Sequence, residues 1–219
     1  MRDTDMESGM NTFSGKNNFL YLGSPQEVQE SLLGKFELSS EAINNWITNE
    51  KQREESCAAL GAKYMTLVCP DKQSVYPEFL PGNISVSKHR YIDKVIEHSS
   101  SSFIYPLEEL LAYKNICELY MNGDTHWNDV GAAIAFNALA EKAGIPSKIE
   151  IDEKLWQVTI GKGDLCVDKF SNVENKSIAL RYPAEITETW CNKLAGDCSI
   201  TIYENSNKNL PTALCFCDS

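Results

Sequence analysis

The residues best suited to chemistry fall at two places in the chain. The first is Asp124-Thr125-His126-Trp127, which sets a carboxylate two positions before an imidazole. In an extended segment positions i and i+2 face the same side, so the carboxylate can reach the ring. Such a carboxylate fixes the imidazole tautomer and stabilises the imidazolium formed on proton abstraction. Trp127 could shield the pair from water. Spacing alone leaves a plainer alternative open, in which Asp124 caps a helix and His126 is a packed loop residue. The chain has three histidines, His89, His98 and His126. His89 and His98 sit in polar, charged stretches and read as surface residues, which leaves His126 as the candidate general base.

The second place is Cys217-Asp218-Ser219, directly after the apolar run Thr212 to Phe216, which reads as a buried strand. A serine at the C-terminal edge of a strand can present its hydroxyl, and its N–H can donate to an oxyanion. No Gly-x-Ser-x-Gly elbow is present, and an Asp-Ser pair there is equally an ordinary chain end. The eight cysteines contain no CxxC pair, so a structural zinc site is not predicted. Cys69, Cys215 and Cys217 lie in apolar runs and read as small core residues. Cys191 and Cys198 flank a polar loop and could pair.

These residues need elements to hold them. Residues 1–17 are polar and aperiodic and read as a flexible lead-in. Phe19 to Leu22 reads as a short strand followed by a turn at Gly23-Ser24-Pro25. Ser39 or Ser40 can cap a helix running to about Leu60, and Tyr64 to Cys69 reads as the buried strand after it, ending at Pro70. A short helix over His89 to Ile96, another over Leu107 to Lys114, and a strand over Cys117 to Tyr120 follow. Asn128 to Ala143 is the clearest helix, with Gly144 and Pro146 as its stop. His126 therefore falls between a strand and a helix, where α/β folds gather their sites. Trp156 to Ile160, Ser177 to Arg181 and Ser199 to Tyr203 read as shorter strands.

With 42% hydrophobic residues among 219, the chain can build a packed core. A formal net charge of −11 without any Lys/Arg cluster argues against nucleic-acid binding. No segment approaches the roughly 20 apolar residues that span a bilayer, and the acidic start does not resemble a signal peptide.

Several runs resemble the alginate O-acetyltransferase family, the AlgX/AlgJ-like SGNH-hydrolase-like domains. Gly123-Asp124-Thr125-His126-Trp127-Asn128-Asp129-Val130-Gly131-Ala132 is similar to the family's Asp-Thr-His-Trp-Asn segment. Val68-Cys69-Pro70-Asp71-Lys72-Gln73-Ser74-Val75-Tyr76, with Leu80-Pro81 beyond it, is similar to its Pro-Asp-Lys-x-x-Val-Tyr block. Weaker matches are Gly163-Asp164-Leu165 and Leu210-Pro211-x-Ala213-Leu214 leading into Asp218-Ser219. The order fits from about residue 18 to the end.

The resemblance implies a three-layer α/β/α fold with a mostly parallel central sheet over residues 18–219, incomplete at the C-terminus. It implies Ser219 as nucleophile, His126 as base and Asp124 as its orienting carboxylate. The activity implied is acetyl transfer to exopolysaccharide hydroxyls in the periplasm or cell envelope, with no cofactor and no metal. The partners implied are a polysaccharide acceptor and an acetyl donor such as a membrane acetyl-carrier protein. Trp127, Tyr76 and Tyr120 are candidates for stacking on sugar rings, against core packing as the alternative. The family usually has Gly or Arg where Cys217 stands. A nucleophile at the chain's last residue would lack a following helix, so the expectation is a fragment with little activity of its own. A carbohydrate esterase of the same fold and a non-catalytic polysaccharide-binding module remain the alternatives.

Overall fold

A computed structural model describes residues 11–146, 148–181, 186–194 and 199–217. The chain divides into two compact units, Met1–Leu180 and Arg181–Ser219.

Among the described residues, the first unit opens with a strand inside the stretch expected as a flexible lead-in. Strand β1 (Thr12–Ser14) pairs antiparallel with β2 (Leu20–Leu22), with Phe13 opposite Tyr21. Phe13, Phe19 and Tyr21 are buried, and burying these rings is what orders the otherwise polar segment. Helix α1 (Pro25–Leu32) follows directly on the turn expected at Gly23-Ser24-Pro25, in a stretch for which no element is predicted. Its signal is Ser24-Pro25-Gln26-Glu27. The Ser24 hydroxyl accepts the Glu27 N–H, the Glu27 carboxylate accepts the Ser24 N–H at 2.9 Å, and Pro25 stands where a missing N–H costs nothing. Helix α2 (Ser40–Ala59) starts as expected, on the Ser39 cap.

The sheet departs from expectation. Strands β3 (Thr66–Leu67) and β4 (Phe103–Ile104) are parallel, but each is two residues long. Pro70 and Pro106 follow within three residues and lack the N–H that would extend the ladder. The described strands form four separate two-stranded sheets, of which only β3–β4 is parallel, in place of a mostly parallel central sheet. Cys117 to Tyr120 contributes a single bridge at Tyr120 rather than a strand.

Pro70 is followed by a turn of helix, α3 (Lys72–Val75), and then by α4 (Tyr91–His98) and α5 (Leu107–Tyr113). Helix α6 (Asp129–Ala143) is capped by Asn128 and stopped by Gly144 at φ 72°, a conformation that suits glycine. Val75, Tyr76, Leu110, Leu119, Val130 and Ile134 join Phe13, Phe19 and Tyr21 in one core. Strands β5 (Trp156–Gly161) and β6 (Asn175–Leu180) form a hairpin in which Gly161 faces Asn175. Their connection carries residues 163–166.

The second unit contains the antiparallel pair β7 (Ile186–Cys191) and β8 (Thr201–Asn205). Thr212 to Phe216 is not a buried strand. Leu214 is 82% and Phe216 89% exposed, because an apolar run is buried only where another strand pairs with it. Cys69, Cys215 and Cys217 are likewise exposed rather than core. Cys191 is a free thiol, and Cys198 lies outside the described residues. No helix among the described residues is long and apolar enough to cross a membrane.

Candidate active site

The Asp-Thr-His run sits in a closed loop. The chain runs out along Leu119-Tyr120-Met121 and returns along His126-Trp127-Asn128, with an antiparallel bridge between Tyr120 and Trp127. The Asn128 N–H donates to the Leu119 carbonyl at 2.8 Å, and the Asn128 side-chain amide donates to the Glu118 carbonyl at 2.5 Å. The same side chain accepts the N–H groups of Val130 and Gly131, both at 3.1 Å. One asparagine thus caps α6 and locks the loop's exit to its entry. Gly131 lets the helix come this close, since a Cβ there would stand 2.7 Å from the Leu119 oxygen.

Within the loop Asp124 and His126 meet as expected, through a different local geometry. The segment is bent rather than extended. Asp124 Oδ1 accepts the His126 backbone N–H at 3.0 Å, an aspartate-closed turn, and the same oxygen lies 2.6 Å from His126 Nδ1. Asp124 is buried, whereas the imidazole is about half exposed, at 51%. A carboxylate on Nδ1 makes that nitrogen the N–H donor and gives Nε2 the basic lone pair. Burial works to raise the Asp124 pKa, but donation from the His126 backbone and ring and from the Asp164 backbone outweighs it. The carboxyl is held below its ordinary value and stays ionised.

Two residues that carry no role in the sequence reading complete the site. Asp164 donates its backbone N–H to Asp124 Oδ2 at 3.0 Å. Its own carboxylate accepts the Thr125 N–H at 2.8 Å and the Thr125 hydroxyl, and lies 3.6 Å from His126 Nδ1. Lys72 comes up from α3, fully buried. Its Nζ donates to the carbonyls of Met121, Asn122 and Asp124 at 3.2, 3.3 and 2.6 Å, and sits over the rings of Phe19 and Tyr21. Desolvation pulls the Lys72 pKa down to about 8, although Asp124, Asp164 and Cys166 work against the fall. Both residues belong to runs the family resemblance singles out, Pro70-Asp71-Lys72 and Gly163-Asp164-Leu165. That membership was the available signal.

The 162–174 connection reaches the loop by backbone contact. Gly123 accepts the Leu165 N–H at 3.1 Å and donates its own N–H to Asn175 Oδ1 at 2.9 Å. A Cβ on Gly163 would lie 1.9 Å from the Gly123 oxygen, so no side chain fits there. Gly163→Ala is expected to cost about 2–3 kcal/mol through overpacking. That corresponds to a fall of roughly 5–10 °C in the thermal midpoint read by circular dichroism. An unchanged midpoint would contradict this contact.

The remaining predicted residues part company. Tyr76 is 3% exposed, stacks on Phe79, and accepts the Leu119 N–H with its hydroxyl. Tyr120 is buried too and donates to the Pro70 carbonyl. Neither ring is open to a sugar, because both are buried and both hydroxyls are already bonded. Trp127 is half-buried beside Tyr120 and flanks His126 in sequence. His89 and His98 are exposed, as expected. Ser219 lies outside the described residues.

Asp124, His126 and Asp164 also form a donor group that could surround a cation, with ligand atoms all within 4.8 Å. Two ligands on one tetrahedral zinc stand about 3.3 Å apart. The 2.6 Å between Asp124 and His126 is shorter and is a hydrogen bond.

Residues 15–159 match the family model of the SGNH hydrolase-like domain, acetyltransferase AlgX. No curated protein matches the chain. Among solved structures, the O-acetyltransferase domain of Pseudomonas putida AlgJ is 18% identical over 78% of this chain and 64% of its own, with a TM-score of 0.47. A DHHW family protein from Eubacterium siraeum is 16% identical over 65% of this chain and 49% of its own, with a TM-score of 0.46. Bacillus cereus PatB1 with a sulfonyl adduct is 15% identical over 82% of this chain and 61% of its own, with a TM-score of 0.43. The chain spans less than two thirds of each of these structures. With the family match running from residue 15, just ahead of β2, through Asp124 and His126 into β5, the chain belongs to the AlgX acetyltransferase family and has its SGNH hydrolase-like fold.

Proposed function

We propose that this chain carries the acid–base half of an O-acetyltransferase that acetylates hydroxyls of an alginate-like exopolysaccharide in the cell envelope. The observation that supports the reading most is the 2.6 Å bond between the ionised, buried Asp124 and the half-exposed His126, in a family of acetyltransferases.

In this reading His126 Nε2 takes the Ser219 hydroxyl proton as Ser219 Oγ attacks the acetyl carbon of the donor. The imidazolium returns that proton to the leaving group, and the acetyl group stays on Ser219. A sugar hydroxyl then gives its proton to His126 and attacks the acetyl-serine, releasing the acetylated sugar and restoring the serine O–H. Asp124 keeps the ring in one tautomer and balances the charge of each imidazolium. In this reading a carrier presents the acetyl donor, and Trp127 is the remaining candidate for contact with the acceptor.

The test is product partition. With 4-nitrophenyl acetate as donor and uronate oligosaccharides as acceptors, mass spectrometry is expected to find acetylated oligosaccharide rising with acceptor concentration. Free acetate at a rate independent of acceptor would make the protein an esterase. Glycan binding without release of nitrophenol would make it a binding module.

A further inference from the structure

We propose that Asp164 is a positioning residue for the acid–base pair, which holds the Asp124-Thr125-His126 turn closed and places a second carboxylate beside the His126 ring. Residue 164 touches each member of the turn in a distinct way. Its N–H occupies Asp124 Oδ2, so Asp124 is left to serve the ring with Oδ1. One carboxylate oxygen takes the Thr125 N–H, and the other takes the Thr125 hydroxyl. That second oxygen stands 3.6 Å from His126 Nδ1. Backbone contacts on either side of it, Gly163 against Gly123 and Leu165 N–H to Gly123 carbonyl, leave Asp164 no other register.

A purely structural staple would need only a neutral acceptor for the Thr125 N–H. Asp164 is a carboxylate, and it faces the one ring that gains positive charge in the cycle. Two carboxylates flank Nδ1, so the imidazolium is stabilised twice and Nε2 is a stronger base than Asp124 alone would make it. Among the described residues, Lys72 from α3 and the Cys166 thiol also lie at the loop, at the carbonyls of Asp124 and Gly123. They are the same in every variant considered below.

The assignment rests on His126 being the base, but its test needs no turnover. The chain has only three histidines, so the imidazole resonances of the isotope-labelled protein can be titrated one by one, with His126→Gln assigning the signal. Asp164→Asn keeps an acceptor for Thr125 and removes the charge. The His126 pKa is expected to fall by about one unit, while His89 and His98 stay where they are. A His126 titration that does not move would overturn the proposal. If Asp164→Asn does not fold, Asp124→Asn carries the test, since Asp164 then remains as the lone carboxylate. His126 should still titrate above about 6.5, the value of a histidine in a model peptide, and a value at or below it would overturn the proposal. Loss of acetyl transfer as the function would leave these titrations unaffected, so the two readings can fail separately.

Discussion

If the proposed function holds, His126→Ala is expected to lower the acetyl-transfer rate by about 10²–10⁴-fold with 4-nitrophenyl acetate as donor, the range expected for loss of a positioned general base. In barrier terms that is about 3–5 kcal/mol. The size follows from what alanine removes. In the proposed mechanism no other group in the loop can take the proton that the ring would hold, because Asp124 is buried, ionised and already bonded on both oxygens. The fold should survive, since the ring is half exposed and the Asp124 turn is closed by the residue's backbone N–H, which alanine keeps. His98→Ala serves as the control, an exposed ring outside the site, and should retain the full rate. A His126→Ala protein that transfers acetyl groups at the parent rate would sink the base assignment, and the serine mechanism with it.

The largest effect on stability is expected at Lys72. Lys72→Met has similar length but leaves three loop carbonyls without their donor. Stripping partners from buried polar groups costs about 1–3 kcal/mol each, partly offset because the variant no longer buries an ammonium. A net loss of about 2–4 kcal/mol near pH 7 is expected, with activity falling as the loop loosens. The pH dependence gives a sharper reading. The folded-state pKa of Lys72 is about 8, below the 10.5 of a free lysine. Below pH 8 both states hold the proton and nothing changes. Between pH 8 and 10.5 the unfolded chain holds a proton that the folded chain has released. There the unfolded state binds more protons, so this group's contribution to stability rises with pH. The variant has no such group. The gap between parent and variant in urea unfolding should therefore widen by about 2 kcal/mol from pH 7 to pH 9.5. A gap that stays constant would mean that the buried ammonium is not desolvated as described.

What could be read from sequence divides along the range of the interactions involved. Helices α2 and α6 are legible because their caps, Ser39, Asn128 and Gly144, are local. The Asp124–His126 pair is legible only in part, since two residues' separation limits where the carboxylate can go but leaves a packed loop residue open, and the segment that joins them is bent rather than extended. The capping box at Ser24 and Glu27 is equally local, but Ser24-Pro25 also signals a turn, so sequence alone does not separate the two. Residue type says much less where distant partners decide. Tyr76 has the side chain of a sugar-stacking residue, and nothing nearby in sequence announces that its hydroxyl takes the Leu119 N–H inside the core. The apolar runs around Thr66 and Phe103 announce strands, but how far they pair depends on where Pro70 and Pro106 interrupt the ladder. Lys72 and Asp164 act through contacts invisible to spacing.

Those contacts bear on when the site exists at all. Lys72 grips the Asp124 carbonyl from 52 residues away, and Asp164 reaches Asp124 and Thr125 across 40 and 39. Closing loops of that length costs entropy that only the assembled core repays, and such contacts form late. A peptide covering residues 118–146 would contain the aspartate, the histidine and the whole of α6, yet hold its carboxylate and imidazole together only in passing. The reactive geometry is then a property of the finished fold, and a nascent chain cannot begin its chemistry before residue 164 has found residue 123.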